Sequence, residues 1–389
     1  AYWQVAFLQN SLKWDVIDCY LPWRYHVGEC LQNGIFPFWN PYTHGGYPIH
    51  ADLRSVWYPE ALIIGLVSGY SNLHLHLLFI VYLSLAGMGV YLLSSHFTGD
   101  WRASVLAGGA YLLSGFFTGH GQEMYGIIAA TWIPFVLHYF IRLLKYRQLA
   151  DVLRTSLFAF LLVTGGYQAL WAILLYLLLA LFVVWIVRLF RQGKRQEIVQ
   201  LIKLSLLLVG LIAVSLTVIV VSYFQVAPHL GRLSGVSLSD AWFMPFSPRS
   251  ALSFLVPFAT VKDAAWYDTD VSMNNAYAGL IVLVFFFFSL FRRRDLLLNV
   301  FLIFGLVSLL ASFGKYTPVR EMLFHTLPLM DLFRHSSFFS YFAVLAIVLS
   351  AAAGFGGFLE NPATSRRGIL RIALFAAAGL LLMLFYGLK

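Results

Sequence analysis

Charge is what this chain has least of. Only 11% of its 389 residues are Asp, Glu, Lys or Arg, while 60% are hydrophobic and 17% aromatic. So few charges cannot cover the surface of a soluble protein of this size, and the mean hydropathy of +0.78 agrees. Cysteine is almost missing: Cys19 and Cys30 are the only two. Two cannot build a disulfide framework, and eleven residues of helix would hold them roughly 16 Å apart, beyond the reach of a bond. A Lys/Arg stripe is also missing. The net charge of +9 is spread over short basic clusters between apolar segments, which excludes a nucleic-acid surface as its explanation. No charged n-region of a signal peptide is visible, and residues 1–12 read as the outer end of a helix whose start is missing.

What the chain does have is a succession of long apolar runs, near the length a hydrocarbon core demands. They predict spans over 73–95, 103–118, 124–144, 152–167, 168–188, 204–224, 276–291, 296–312, 337–358 and 372–388. The expected fold is all-α: a polytopic integral membrane protein of ten or eleven transmembrane helices, forming a single domain over 1–389.

Loop charge sets the orientation. With residues 13–58 outside and strict alternation, the inner loops hold 16 of the 26 Lys and Arg, including Arg292, Arg293 and Arg294. Short loops rich in Lys and Arg stay cytoplasmic, so those clusters read as topology signals. The same alternation sends 13–58, 119–123, 225–275 and 313–336 to the outer face. These are the loops dense in Pro, Gly, Trp, His and Asp, and long specific loops usually carry function.

The first outer loop opens WDVIDCYLPWR, from Trp14 to Arg24. Asp15 and Asp18 would share one face of a helix. Pro22 suits a first helical turn and Gly34 a C-terminal stop, so the stretch between them predicts a short amphipathic helix on the outer membrane surface. GIFPFWNPYTHGGYP and HADLRSVWYP follow, bringing His44, His50, Asp52 and Arg54 near those acids. An isolated Asp at a helix end is most often a cap; an acid at a membrane boundary is by default a functional candidate.

Taken in order, these residues resemble a known family. WD…YLPWR, a Gly–x–x–Pro–x–Trp–Asn–Pro–Tyr segment and GGYP–x–x–AD–x–x–S–x–x–YP are similar to the first extracytoplasmic loop of YfhO-like bacterial membrane proteins. That family belongs to the GT-C class of polyprenyl-phosphate-sugar-dependent glycosyltransferases. The likeness continues through SGFFTGHGQEMYGIIAATWIP, TGGYQAL, VAPHLGRLS and FGKYTPVREMLFHTLPLMDLFRHSS. Where the family often has a second arginine after Phe–Arg, this chain has Phe338.

The resemblance implies an inner-membrane enzyme working on the extracytoplasmic face. It would move a sugar from a polyprenyl-phosphate donor to an envelope glycan, glycolipid or polymer, with inversion. Asp15 matches the family's general base, with Asp52 as runner-up. Arg334 is the first choice for the lipid phosphate, followed by Arg249, Arg54 and Lys315. Asp18, Arg24, His44, His50, His120, Trp39 and Tyr58 are the candidates for sugar or acceptor contact. His44, His50 and His120 with Asp52 could also form a divalent-metal site, although no tight pair of histidines is present. Trp23, Trp39, Trp57, Trp242 and Trp266 read either as an interfacial belt or as a carbohydrate platform. Two other readings stay open: a lipid or glycan transporter, and a non-catalytic envelope assembly factor. Against transport, the acids avoid span centres and no internal repeat is visible.

Overall fold

The computed structural model describes residues 2–43, 45–52, 56–229, 235–256, 264–362, 367–374, 377–378 and 381. His44 and Arg54, and most of the expected span 372–388, lie outside the described residues. In chain order the main helices are α1 (Leu21–Gln32), α2 (Pro59–Val67), α3 (Asn72–Ser94), α4 (Trp101–Leu112), α5 (Met124–Tyr146), α6 (Leu149–Gly165), α7 (Gln168–Arg191), α8 (Arg195–Val226), α9 (Leu280–Leu290), α10 (Leu296–Ser312), α11 (Val319–Thr326) and α12 (Ser340–Glu360). Among the described residues there is no β-strand, only a single bridge between Asn40 and Tyr47.

Among the described residues, five helices are long and apolar enough to cross a membrane: α3, α5, α7, α8 with the turn after it, and α12 with the turn before it. Two shorter ones, α9 and α10, are apolar as well. The chain is therefore a helical protein with membrane-spanning character. The expected span 103–118 is not continuous. Its helix stops at Leu112, and a separate turn of helix covers Gly115–Gly119. The break follows from Gly115, whose N–H donates to the Tyr277 carbonyl at 2.7 Å. A Cβ there would stand 2.0 Å from Asn275 Oδ1. The expected span 276–291 likewise starts late, at Leu280, after Gly279 takes a φ of +106°.

The chain divides into two compact units, Ala1–Leu85 with His120–Val236, and Ala86–Gly119 with Ser237–Lys389. In the first, α5 is the core helix, buried along nearly its whole length. It packs on α6 through Trp132, Phe135 and Tyr139 around the Phe158 ring. Helix α8 is the opposite case, apolar yet with only Leu201, Leu208 and Ile219 buried, as a lipid-facing helix would be. In the second unit α12 is central and packs against α4, α9 and α10. Small residues let the backbones approach: a Cβ on Gly354 would lie 2.2 Å from the Phe285 carbonyl, and one on Gly305 would lie 2.7 Å from the Ala346 methyl.

Candidate functional site

In the first unit the chain enters the loop through Trp14, which takes φ +59°. The Trp14 carbonyl accepts from the amides of both Ile17 and Asp18, each at 2.8 Å, and Val16–Tyr20 winds as a π-helix with Asp15 at its N-cap. Short π segments often mark functional positions because their wider turn re-aims side chains. Asp15 and Asp18 are both exposed. The Asp15 carboxylate caps no backbone N–H and has no ion-pair partner among the described residues. The amphipathic helix predicted between Pro22 and Gly34 is α1, with Pro22 in its first turn and Gly34 just beyond it at φ +72°. Neither cysteine is in a disulfide.

Beneath that segment lies a buried polar cluster. Arg24 is only 2% exposed, its guanidinium 4.9 Å above the Tyr20 ring and 5.9 Å from that of Tyr58. The Tyr20 hydroxyl donates to Glu60 Oε2 at 3.3 Å, and Glu60 Oε1 is buried without a hydrogen-bond partner. Burial pushes the Glu60 carboxyl up to about 7, although Arg24 and the Tyr20 hydroxyl pull the other way. Burial also opposes the charge on Arg24, but Tyr20 and Glu60 outweigh it and hold the guanidinium above its ordinary range. Tyr58 is buried as well; its hydroxyl pairs with that of Tyr82 at 2.8 Å and accepts from Trp132 Nε1 at 2.9 Å. Arg24 and Tyr58, expected as sugar contacts, thus form the floor beneath the loop.

The loop above the floor is stiffened by aromatics. Trp23 stacks on Tyr47 and donates to Thr43 Oγ1 at 3.2 Å, while Asn40 and Tyr47 exchange backbone hydrogen bonds at 2.8 Å. Tyr47 reaches Asp52 Oδ2 at 3.3 Å, and Asp52 is buried. His50 pairs through Nδ1 with the Phe38 carbonyl at 2.8 Å, and His120 is buried. Trp39 remains 54% exposed, and Tyr25, Phe38 and Tyr42 are exposed as well. Gly46 supports the Trp39 ring at φ +122°, where a Cβ would stand 2.2 Å from the indole. Among the described residues no group of three His, Cys, Asp or Glu could hold a metal ion.

The second unit gathers three of the predicted phosphate-binding cations. Lys315 Nζ sits 2.7 Å from Asp268 Oδ2, which also accepts from the Tyr316 hydroxyl at 2.6 Å. Those two donors hold the Asp268 carboxyl below its usual range, and Arg249 adds to the effect. Arg249 lies over the Trp266 ring at 5.0 Å and donates to the Trp266 carbonyl at 2.7 Å. Arg334 pairs with Asp240 at 3.2 Å, both half exposed. Asp240 is held down first by the Ser237 hydroxyl and then by Arg334. The next residue, His335, takes φ +64° and is pushed down to about 4 by burial and by Arg334, so it is neutral at pH 7.

Sequence reasoning missed Glu60, Tyr20, Asp268, Asp240 and Tyr316. Glu60 stands one residue after Pro59 at a helix start, where an acid reads as ordinary compensation of the helix dipole. Asp268 carried the better signal, lying in KDAAWYDTD among aromatics. No family model, curated protein or solved structure matches this chain.

Proposed function

We propose that the protein is a membrane glycosyltransferase of the GT-C type, using a polyprenyl-phosphate-linked sugar on the extracytoplasmic face. The observation that carries this reading is Asp15: an exposed carboxylate at the N-cap of a π-helical turn, with no ion-pair partner among the described residues, at the mouth of the first loop. An acceptor hydroxyl attacks the anomeric carbon, its proton passes to Asp15, and the polyprenyl phosphate leaves. The leaving group is already a stable anion, so it needs cations more than an acid. Arg249, Lys315 and Arg334 are the candidates for that role. Asp15 belongs to the first unit and the three cations to the second. Asp52, buried and bonded to Tyr47, serves in this reading to hold the loop, and the exposed ring of Trp39 offers a face for a sugar.

The test is sugar release from a panel of polyprenyl-phosphate sugars by membranes containing equal amounts of wild type, Asp15→Asn and Asp52→Asn. Loss of a positioned base predicts a drop of about 10²–10⁴ in turnover for Asp15→Asn, with a smaller drop for Asp52→Asn. Full turnover by Asp15→Asn removes it as the base. No turnover by wild type on any donor sinks the enzyme reading and leaves transport or assembly.

A further inference from the structure

The basic run after α9 does more than face the cytoplasm. A cavity of about 170 Å³ opens in the second unit between the ends of α9, α10 and α12 and the turn at Phe97–Gly99. Its polar lining includes Arg292, Arg293, Arg294, Asp295 and Glu360. Two of the arginines are turned onto the exposed carbonyls of helix ends. Arg292 Nη1 donates to the Gly357 carbonyl of α12 at 3.0 Å. Arg294 Nη1 donates to the carbonyls of Ser289 and Leu290 at 3.1 and 2.7 Å, while its Nε holds Asn299 Oδ1 at 2.9 Å. These contacts pin two cations at the cavity wall. Arg293 is exposed and has neither an ion-pair nor a hydrogen-bond partner among the described residues. The three arginines outnumber the two carboxylates of the lining, Asp295 and Glu360, and the Asp295 carboxylate accepts from the Leu297 amide at 2.8 Å.

The apolar surface beside the cavity decides what kind of anion fits. Phe287, Leu290 and Phe291 on the last turns of α9 are all exposed, Phe291 to 83%. A ligand with one phosphate and a hydrocarbon tail satisfies both features, and a basic pocket between helix ends on the cytoplasmic side is a recurring form of headgroup site. We propose that this cavity binds the phosphate headgroup of an anionic phospholipid, with its acyl chains along Phe287 and Phe291.

The experiment uses the full chain purified in neutral detergent micelles, titrated with dioleoylphosphatidylglycerol, dioleoylphosphatidylcholine or inorganic phosphate. Bound lipid is counted by native mass spectrometry. Wild type is expected to retain the phosphatidylglycerol in clear preference to the phosphatidylcholine. Arg293→Gln should weaken that retention about fivefold, the worth of one basic residue at such a surface. Ala353→Leu fills the cavity without changing charge and should weaken it too. Arg191→Gln, an exposed arginine at the end of α7, should change nothing. Equal retention of both lipids, or equal effects of Arg293→Gln and Arg191→Gln, overturns the proposal. Displacement of the phosphatidylglycerol by equimolar inorganic phosphate overturns it in favour of a soluble anion.

Discussion

The two candidate regions, the floor under the first loop and the cations around Asp268 and Asp240, handle charge in opposite ways. The first buries it: Arg24 and Glu60 lie under the loop among Tyr20, Tyr58 and Trp132, with no accessible ion pair in the cluster. The second displays it: Lys315 with Asp268, and Arg334 with Asp240, pair where water reaches both partners. Buried ions are expensive to separate, because what is left behind has no solvent. Exposed pairs exchange partners at almost no cost. The first arrangement therefore suits a scaffold that must stay put, and the second suits groups that let go of each other to take hold of a ligand.

The comparison breaks most sharply at Arg24. Arg24→Ala removes the cation that acts on Glu60 and empties a side-chain volume between two aromatic rings. A loss of about 3 kcal/mol or more is expected, read as a lower unfolding midpoint in detergent and lower abundance in membranes. Arg24→Lys should recover only part of it, since an ammonium lacks the planar face that stacks on Tyr20 and Tyr58. Wild-type stability in Arg24→Ala would mean that the buried cluster is not structural.

Glu60 gives the same contrast a pH signature. Its folded pKa of about 7 lies above the ordinary 4.5, so within that window the folded chain holds more proton than the unfolded one. The group's contribution to stability is complete below that window and is lost as pH rises to 7. The loss is up to about 3 kcal/mol at 1.36 kcal/mol per unit. Glu60→Gln should flatten the slope. An unchanged slope in the variant would assign the titration to another group.

How much of this was legible beforehand differs between fold and site. The long helices α3, α5, α7, α8 and α12 coincide with apolar runs because lipid-length hydrophobicity is a local property. The break at Leu112 was not legible, since it depends on Gly115 meeting Asn275 and Tyr277, more than 150 residues away. At the site, the exposed Asp15 and the stop at Gly34 could be read from local signals. The burial of Arg24 could not, because a Trp–Arg–Tyr run looks equally amphipathic whichever side faces in. Pairing Arg249 and Lys315 around Asp268 likewise joins segments far apart in the chain.

Gly46 tests whether the loop's stiffness matters to function rather than to the fold. Gly46→Ala asks a Cβ to occupy the Trp39 ring at a φ that L-residues avoid. The backbone term alone costs about 1 kcal/mol, and the indole must shift as well. Sugar release should fall while the unfolding midpoint drops only a little. A variant with normal turnover would remove Trp39 from the acceptor face.

The smallest expected change in stability is at the displayed charges, and it decides whether the second unit's pairs are for binding. Lys315→Gln and Asp268→Asn each break an exposed contact, so the midpoint should move little. Their effects on donor use should differ in sign. Lys315→Gln removes a cation from the phosphate both in the bound donor and in the leaving anion, so it should raise the donor KM several-fold and lower kcat as well. Asp268→Asn removes the carboxylate that competes with phosphate for Lys315 and Arg249, so the donor KM should fall or hold. If both variants raise KM alike, the pair acts as a unit that shapes the loop, and the distinction between a buried scaffold and a releasable set of charges fails at its second half.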